Sequence, residues 1–439
     1  MSKITCIDND YMDFLYNNLS RIEYPFKNPG FNLSFSKINN KHDIFVIRNV
    51  FPFKIITNNK NNKKLIPGIS KKHKKLVEIL GNDLPNTLFS NNFIWDWNNW
   101  YESNILFVGK LEKNGHIKVN NKIKPISIID PLYNYPIPKH LEKGGILKWQ
   151  HKIRKEDFRL LNIKNKTFIM DSHNNTIDEV ELINNKIIIG RGIKYYNICF
   201  YNFNKNVQTK FYKTRNIKSH LPKNWSLYNT KYKNGLFTFY FFHNYNKMGI
   251  SAIMYNKNEC NDFYIVKYNN DPIPYNDNDS VIRLSFGSTI LKKRNYYYGV
   301  GHFKCFYKPK DINDKNKHIY NKYILIIKEL SKKNKNKNKN IRLHPSKMYG
   351  YYYFRYDEKS NEFLLSNGFF LFTKCTKYII PLCFPMSIEE RYNNVYISMG
   401  YGDYTNLIMK TSIKEIDKLL IHDAKEFDLK KFDLQLNIL

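Results

Sequence analysis

Short segments in which apolar and polar residues alternate, separated by turns rich in Asn, Lys and Gly, recur along the whole chain. The stretches Asp43 to Arg48 (DIFVIR), Thr167 to Asp171 (TFIMD), Leu236 to Phe242 (LFTFYFF) and Val395 to Ser398 (VYIS) are typical. Period-two alternation in β-branched and aromatic residues predicts strands. Helical spacing stands out in two places. Residues 70–80 open on Ser70, a good N-cap, and stop at Gly81. Further on, Ser412 and Glu415 have the spacing of a capping box ahead of Ile413, Ile416, Leu419 and Leu420, which predicts a C-terminal helical tail over 412–439. The rest reads as β, in clusters at about 28–56, 93–130, 151–200, 223–270, 283–330 and 348–411. With no strand–helix–strand alternation, the pattern leaves a sandwich, a large barrel or a propeller. The Lys/Asn run over 331–341 has no apolar surface to bury and predicts a disordered insertion, a nucleic-acid-binding arm being the alternative.

At 439 residues, 42% hydrophobic and 16% aromatic, the chain has ample material for a core and is not a disordered protein. Its formal charge of +33 invites a polyanion, yet only 11 of the 71 basic residues are Arg and the Lys are spread among Asn, Ile, Tyr and Phe throughout. An AT-rich coding genome, as in giant viruses or some protists, produces the same bias. No helix-turn-helix, RNA-recognition or zinc pattern accompanies the charge, so a nucleic-acid partner ranks last. No apolar run reaches the roughly 18 residues of a membrane span, and Asp8 and Asp10 stand where a secretory signal is basic and then apolar. A cytoplasmic protein is expected. The six scattered Cys and twelve His form no metal-ligand spacing, so free thiols, no metal and no cofactor are expected.

Five clusters put polar or charged groups beside strands in otherwise apolar text. They are Asn28-Pro-Gly-Phe with Arg48 at the end of the next strand; Glu156-Asp-Phe-Arg159; Pro222-Lys-Asn-Trp-Ser226; Arg283-Leu-Ser-Phe-Gly-Ser288 leading to Gly299-Val-Gly-His302; and Ser398-Met-Gly-Tyr-Gly-Asp403. In this order and spacing they resemble the five-bladed β-propeller glycan enzymes, the β-mannoside phosphorylases and the related β-mannosyltransferase-like proteins of eukaryotes and large viruses. The resemblance spans about residues 28–411 and rests on collinear order, each motif alone being weak. It implies an all-β, five-bladed propeller in a single domain, with a few peripheral helices. It further implies transfer or phosphorolysis of a glycoside, with a carbohydrate as partner and phosphate or a nucleotide sugar as co-substrate.

The same resemblance makes Asp157 the general acid over the glycosidic oxygen. It makes Lys223, Arg283 and His302 a cationic cradle for phosphate, with Arg48 as a further, less favoured candidate, and sets Arg159, Asn224 and Ser288 near the substrate. Such a cradle serves either a phosphate nucleophile or a diphosphate leaving group. An inverting hydrolase would instead need a second carboxylate roughly 6.5–9.5 Å from the acid. Asp403 is the candidate, or else it only stabilises the turn after Gly402. Competing structural readings stand beside these: Arg159 and Arg283 as ties between blades, His302 as a core histidine, and Trp95, Trp97 and Trp100 as a packing patch rather than a sugar platform. Two departures from the family pattern, Phe158 and Thr289 where Pro is usual, point to altered pocket geometry or a degenerate, glycan-binding propeller.

Overall fold

The computed structural model describes residues 3–6, 31–58, 62–67, 100–129, 157–163, 165–170, 177–189, 226–233, 236–243, 249–256, 263–269, 282–306, 312–314, 316–334, 347–373, 383–401, 405–424 and 433–438. These form five sheets, almost wholly antiparallel and built mostly from sequential strands. Strand β1 (Lys3–Cys6) is followed by the first sheet: β2 (Phe31–Lys37), β3 (Asp43–Asn58), β4 (Asn62–Pro67), β5 (Trp100–Leu111), β6 (Ile117–Val119) and β7 (Ile126–Ile129). The second contains β8 (Arg159–Ile163), β9 (Lys166–Met170), β10 (Ile177–Ile183) and β11 (Lys186–Ile189). The third contains β12 (Ser226–Lys233), β13 (Leu236–His243), β14 (Gly249–Asn256) and β15 (Phe263–Asn269). The fourth contains β16 (Ile282–Phe286), β17 (Leu291–Lys293), β18 (Tyr296–Phe306), β19 (Lys347–Asp357), β20 (Glu362–Ser366) and β21 (Gly368–Thr373). In the fifth, β22 (Cys383–Arg391), β23 (Asn394–Tyr401) and β24 (Thr405–Thr411) are completed by β1, which pairs with β24. Helix α1 (Lys317–Asn334) lies between β18 and β19, and α2 (Ile413–Leu419) follows β24. Two last strands, β25 (Leu420–Asp423) and β26 (Asp433–Ile438), return to the fourth sheet.

The central strands are buried on both faces, and in them consecutive residues go to different cores. In β3, Ile44 and Val46 join Phe158, Leu160, Ile169 and Val180 between the first and second sheets. Their neighbours Phe45 and Ile47 join Tyr396 and Ile408 between the first and fifth. Tyr228 and Phe242 of the third sheet pack on Phe286, Phe354 and Phe363 of the fourth, whose Val300, Tyr351 and Tyr353 pack on Ile388, Ile397 and Met399 of the fifth. Each such side chain stabilises by about 1.5–3 kcal/mol relative to exposure, so apolar burial on two faces drives this stacking.

Along their first strands the sheets are tied by buried small polar groups. Leu160 N donates to Ser34 Oγ (2.9 Å), Phe35 N to Ser387 Oγ (3.2 Å), Ile388 N to Thr289 Oγ1 (3.0 Å), and Ser226 Oγ to the Ser288 carbonyl (2.7 Å). At the far end of β2, Arg391 bridges Glu389 and Asp43, with Asp43 Oδ1 at 3.4 Å. Burial pushes the Glu389 carboxyl up; Arg391 and a Ser36 hydrogen bond oppose that rise, and Asp43 adds to it.

Several expectations need correction. The clusters at 283–330 and 348–411 are not separate units, because β19 pairs with β18 along its whole length while β22 begins the next sheet. Helix α1 was not expected; Ile319 and Tyr323, four residues apart, bury its inner face. It also takes up residues 331–334 of the expected disordered run, whose remainder lies outside the described residues. The capping box at Ser412 and Glu415 is present, but among the described residues of the tail the α-helix spans only Ile413–Leu419. After it β25 pairs with β20 and β26 runs parallel to β21, because Leu434, Leu436 and Ile438 recur with period two. The helix expected over 70–80, and Trp95 and Trp97, lie outside the described residues. Among the described residues, no helix is long and apolar enough to cross a membrane.

Candidate functional site

Asp157 stands two residues before β8, with φ of 51°, a left-handed conformation that Asp and Asn tolerate better than other non-glycine residues. Its carboxylate is thereby turned toward the first sheet. Asn32, near the start of β2, is likewise left-handed, with φ of 54°. The two meet: Asn32 Nδ2 donates to Asp157 Oδ1 at 2.6 Å. Arg48 Nη1, from β3, donates to the same oxygen at 2.9 Å, and the side chains of this ion pair are only 12% and 7% exposed. Two non-glycine residues in a sparsely populated backbone region, joined through their side chains across 125 positions of sequence, are a local cost the surrounding fold must hold in place.

Arg159, two residues on and fully buried, reaches the other way. Its Nε donates to the Gly287 carbonyl in the turn after β16, and its guanidinium lies 5.8 Å from the Phe384 ring centroid. His302, also buried, packs its ring 4.6 Å from that of Phe384 and parallel to Tyr349 at 6.4 Å. Phe384 of β22 thus touches both Arg159 from β8 and His302 from β18. Asp157, Arg159, Arg48 and His302 therefore come from the first, second and fourth sheets, with Phe384 from the fifth.

Other candidates fall differently. Ser288 is wholly buried in the turn after β16: its Oγ donates to the Thr289 carbonyl at 2.6 Å and accepts from Val300 N at 2.8 Å, so its one donor is committed to the fold. Arg283 has its backbone in β16, paired with Lys304, and its side chain lies outside the described residues. Lys223, Asn224 and Asp403 lie outside them altogether. The two departures from the family pattern have structural uses here. Phe158 fills the core between the first and second sheets, and Thr289 bonds β22 through both its hydroxyl and its backbone N–H.

Asn32 and Phe384 were missed in the sequence. The only local signal at Asn32 is an Asn at the head of an alternating strand, a residue type that tolerates the left-handed region. Phe384 gives none, because an aromatic residue in an apolar strand reads as core.

No family model and no curated protein matches the chain. Among solved structures it is similar to a β-1,2-mannobiose phosphorylase from Listeria innocua, at 11% identity and a TM-score of 0.43, covering 95% of this chain and 99% of that one. A glycosyl hydrolase from Bacteroides ovatus gives 10% and 0.42 over 89% and 85% of the two chains. A GDP-Man-dependent mannosyltransferase from Leishmania mexicana gives 9% and 0.37 over 91% and 89%. Likenesses this faint carry no weight for the chemistry, which rests on the residues themselves.

Proposed function

We propose that the chain is a carbohydrate-active protein, a five-bladed propeller that transfers or phosphorolyses a glycoside in a depression where the first strands of its sheets converge. The observation that carries this reading is the setting of Asp157. The acidic residue of the Glu156-Asp-Phe-Arg159 cluster is buried, oriented by an amide and a guanidinium from another sheet, and followed by an Arg that reaches the turn between β16 and β17. Arg48 and Asn32 compensate the burial of Asp157, and both of their contacts fall on one oxygen, Oδ1. The collinear order of the five clusters, and the interlocking of β2, β8, β16 and β22 through side-chain hydrogen bonds, support the same reading.

In this proposal Asp157 supplies the proton to the leaving oxygen, and Arg48 and Asn32 stabilise the carboxylate left behind. Arg159 and His302, with Lys223 and Arg283, gather the negative charge of phosphate or of a diphosphate leaving group. Asp403 is kept as an anchor for sugar hydroxyls. A panel of sugar 1-phosphates and nucleotide sugars offered with simple acceptors, read by release of phosphate or nucleoside diphosphate, tests the proposal. Release of either product is expected. Sugar binding without turnover of any panel member would replace it with a non-catalytic glycan-binding role, and neither binding nor turnover would end it.

A further inference from the structure

The two oxygens of Asp157 are not equivalent. Oδ1 accepts from both Asn32 Nδ2 (2.6 Å) and Arg48 Nη1 (2.9 Å), and among the described residues no donor reaches Oδ2. Asn32 is itself closely packed, and the residue after it is held through its backbone. Asn32 is 4% exposed, and its own Oδ1 faces Gly400 of β23 so closely that a Cβ there would lie 1.8 Å from it. The next residue, Leu33, donates its N–H to Asn406 Oδ1 at 2.7 Å, and its carbonyl accepts from Ser398 Oγ at 2.6 Å. The Ser398-Met-Gly400 sequence therefore braces the start of β2: the Ser holds the backbone, and the glycine leaves room for the Asn32 amide.

We propose that Asn32 is a positioning residue for Asp157: with Arg48 it occupies Oδ1 and so fixes Oδ2 as the oxygen that carries the proton. This rests on the catalytic reading above. In phosphorolysis the proton on Oδ2 passes to the glycosidic oxygen as the sugar C1–O bond breaks and its electron pair goes to that oxygen. An oxygen of inorganic phosphate forms the new bond to C1, and Asp157 is left as a carboxylate bonded through Oδ1. Asn32 is neutral, so it orients the group without adding charge; Arg48 is the charged residue among the described side chains that bond Asp157.

Three measurements separate this from a purely structural role. First, G400A should lower the melting temperature by driving a methyl group into the Asn32 amide. N32G, which keeps the left-handed backbone free of strain, should cancel most of that loss, leaving only the 3.1 Å approach to the backbone nitrogen of residue 32, so that N32G/G400A melts close to N32G. Additive losses would overturn the contact. Second, N32G should lower kcat on the substrate found in the panel about a hundredfold with KM little changed, and N32D should move the alkaline limb of the kcat profile upward by about one pH unit, because a second carboxylate retains the proton on the acid. An unmoved limb, or a raised KM at unchanged kcat, would overturn the assignment. Third, the 13C carboxyl signal of Asp157, identified by its loss in D157N, reports the same displacement in N32D without any substrate. If the signal moves and no panel member turns over, the carbohydrate reading fails and the positioning contact survives. If turnover is found and the signal does not move, the positioning role alone fails.

Discussion

Arg391 stands between two carboxylates at the seam where the fifth sheet meets the first, and the E389Q substitution isolates the charge balance there. The side chains of Glu389, Arg391 and Asp43 are 12%, 19% and 9% exposed, so solvent screens them little. One guanidinium therefore serves two buried acids, and the surplus charge falls on Glu389, whose carboxyl burial pushes up. A carboxyl that holds its proton more tightly when folded adds stability below its unfolded value, about 4.3, and loses that contribution as pH rises through its folded value. Each unit of rise is worth about 1.4 kcal/mol. Urea unfolding between pH 4 and 8 (a window set around the unfolded value) should therefore show E389Q gaining on wild type as pH rises and levelling off once Glu389 is ionised. R391M removes the shared cation and should cost about 3 kcal/mol at neutral pH, the low end of the range for breaking a buried pair; R391M/E389Q should recover part of it. A difference between E389Q and wild type that is flat with pH, or that favours wild type as pH rises, would refute the charge accounting.

Two further substitutions probe the packing. G301A should destabilise by about 2–3 kcal/mol or more, because a Cβ at Gly301 would lie 2.1 Å from the ring of its fully buried cross-strand partner Tyr352; equilibrium unfolding checks it, and a neutral effect would mean that ring can move. S412A removes the N-cap of α2, whose hydroxyl accepts from Glu415 N at 3.2 Å, and should cost about 1 kcal/mol in the same assay.

Much of the β architecture was legible because period-two alternation is local: the segments beginning at Asp43, Thr167, Leu236 and Val395 are strands. Their division into sheets was harder to read. The alternation of β19 and that of β22 look alike, and only pairing partners far along the chain assign them to different sheets. In α1 the four-residue spacing of Ile319 and Tyr323 is masked by Asn, Lys and Tyr, which contrast weakly between faces. Asp157 could be singled out because its cluster, Glu156-Asp-Phe-Arg159, matches a motif of the family the chain resembles. Asn32 could not, since its role depends on its own left-handed backbone and on a contact 125 residues away. Gly299 and Gly301, in the cluster that ends at His302, face Phe354 and Tyr352 across the sheet, where a larger residue would collide with those rings.

The central claim is that Asp157 performs chemistry rather than bracing the fold, and D157N tests it most directly because amide and carboxyl share a shape. Calorimetric titration of the panel sugar, run beside turnover, should give similar affinity for wild type and D157N while turnover falls about 10²–10⁴-fold. Turnover surviving in D157N at the wild-type rate would contradict the account.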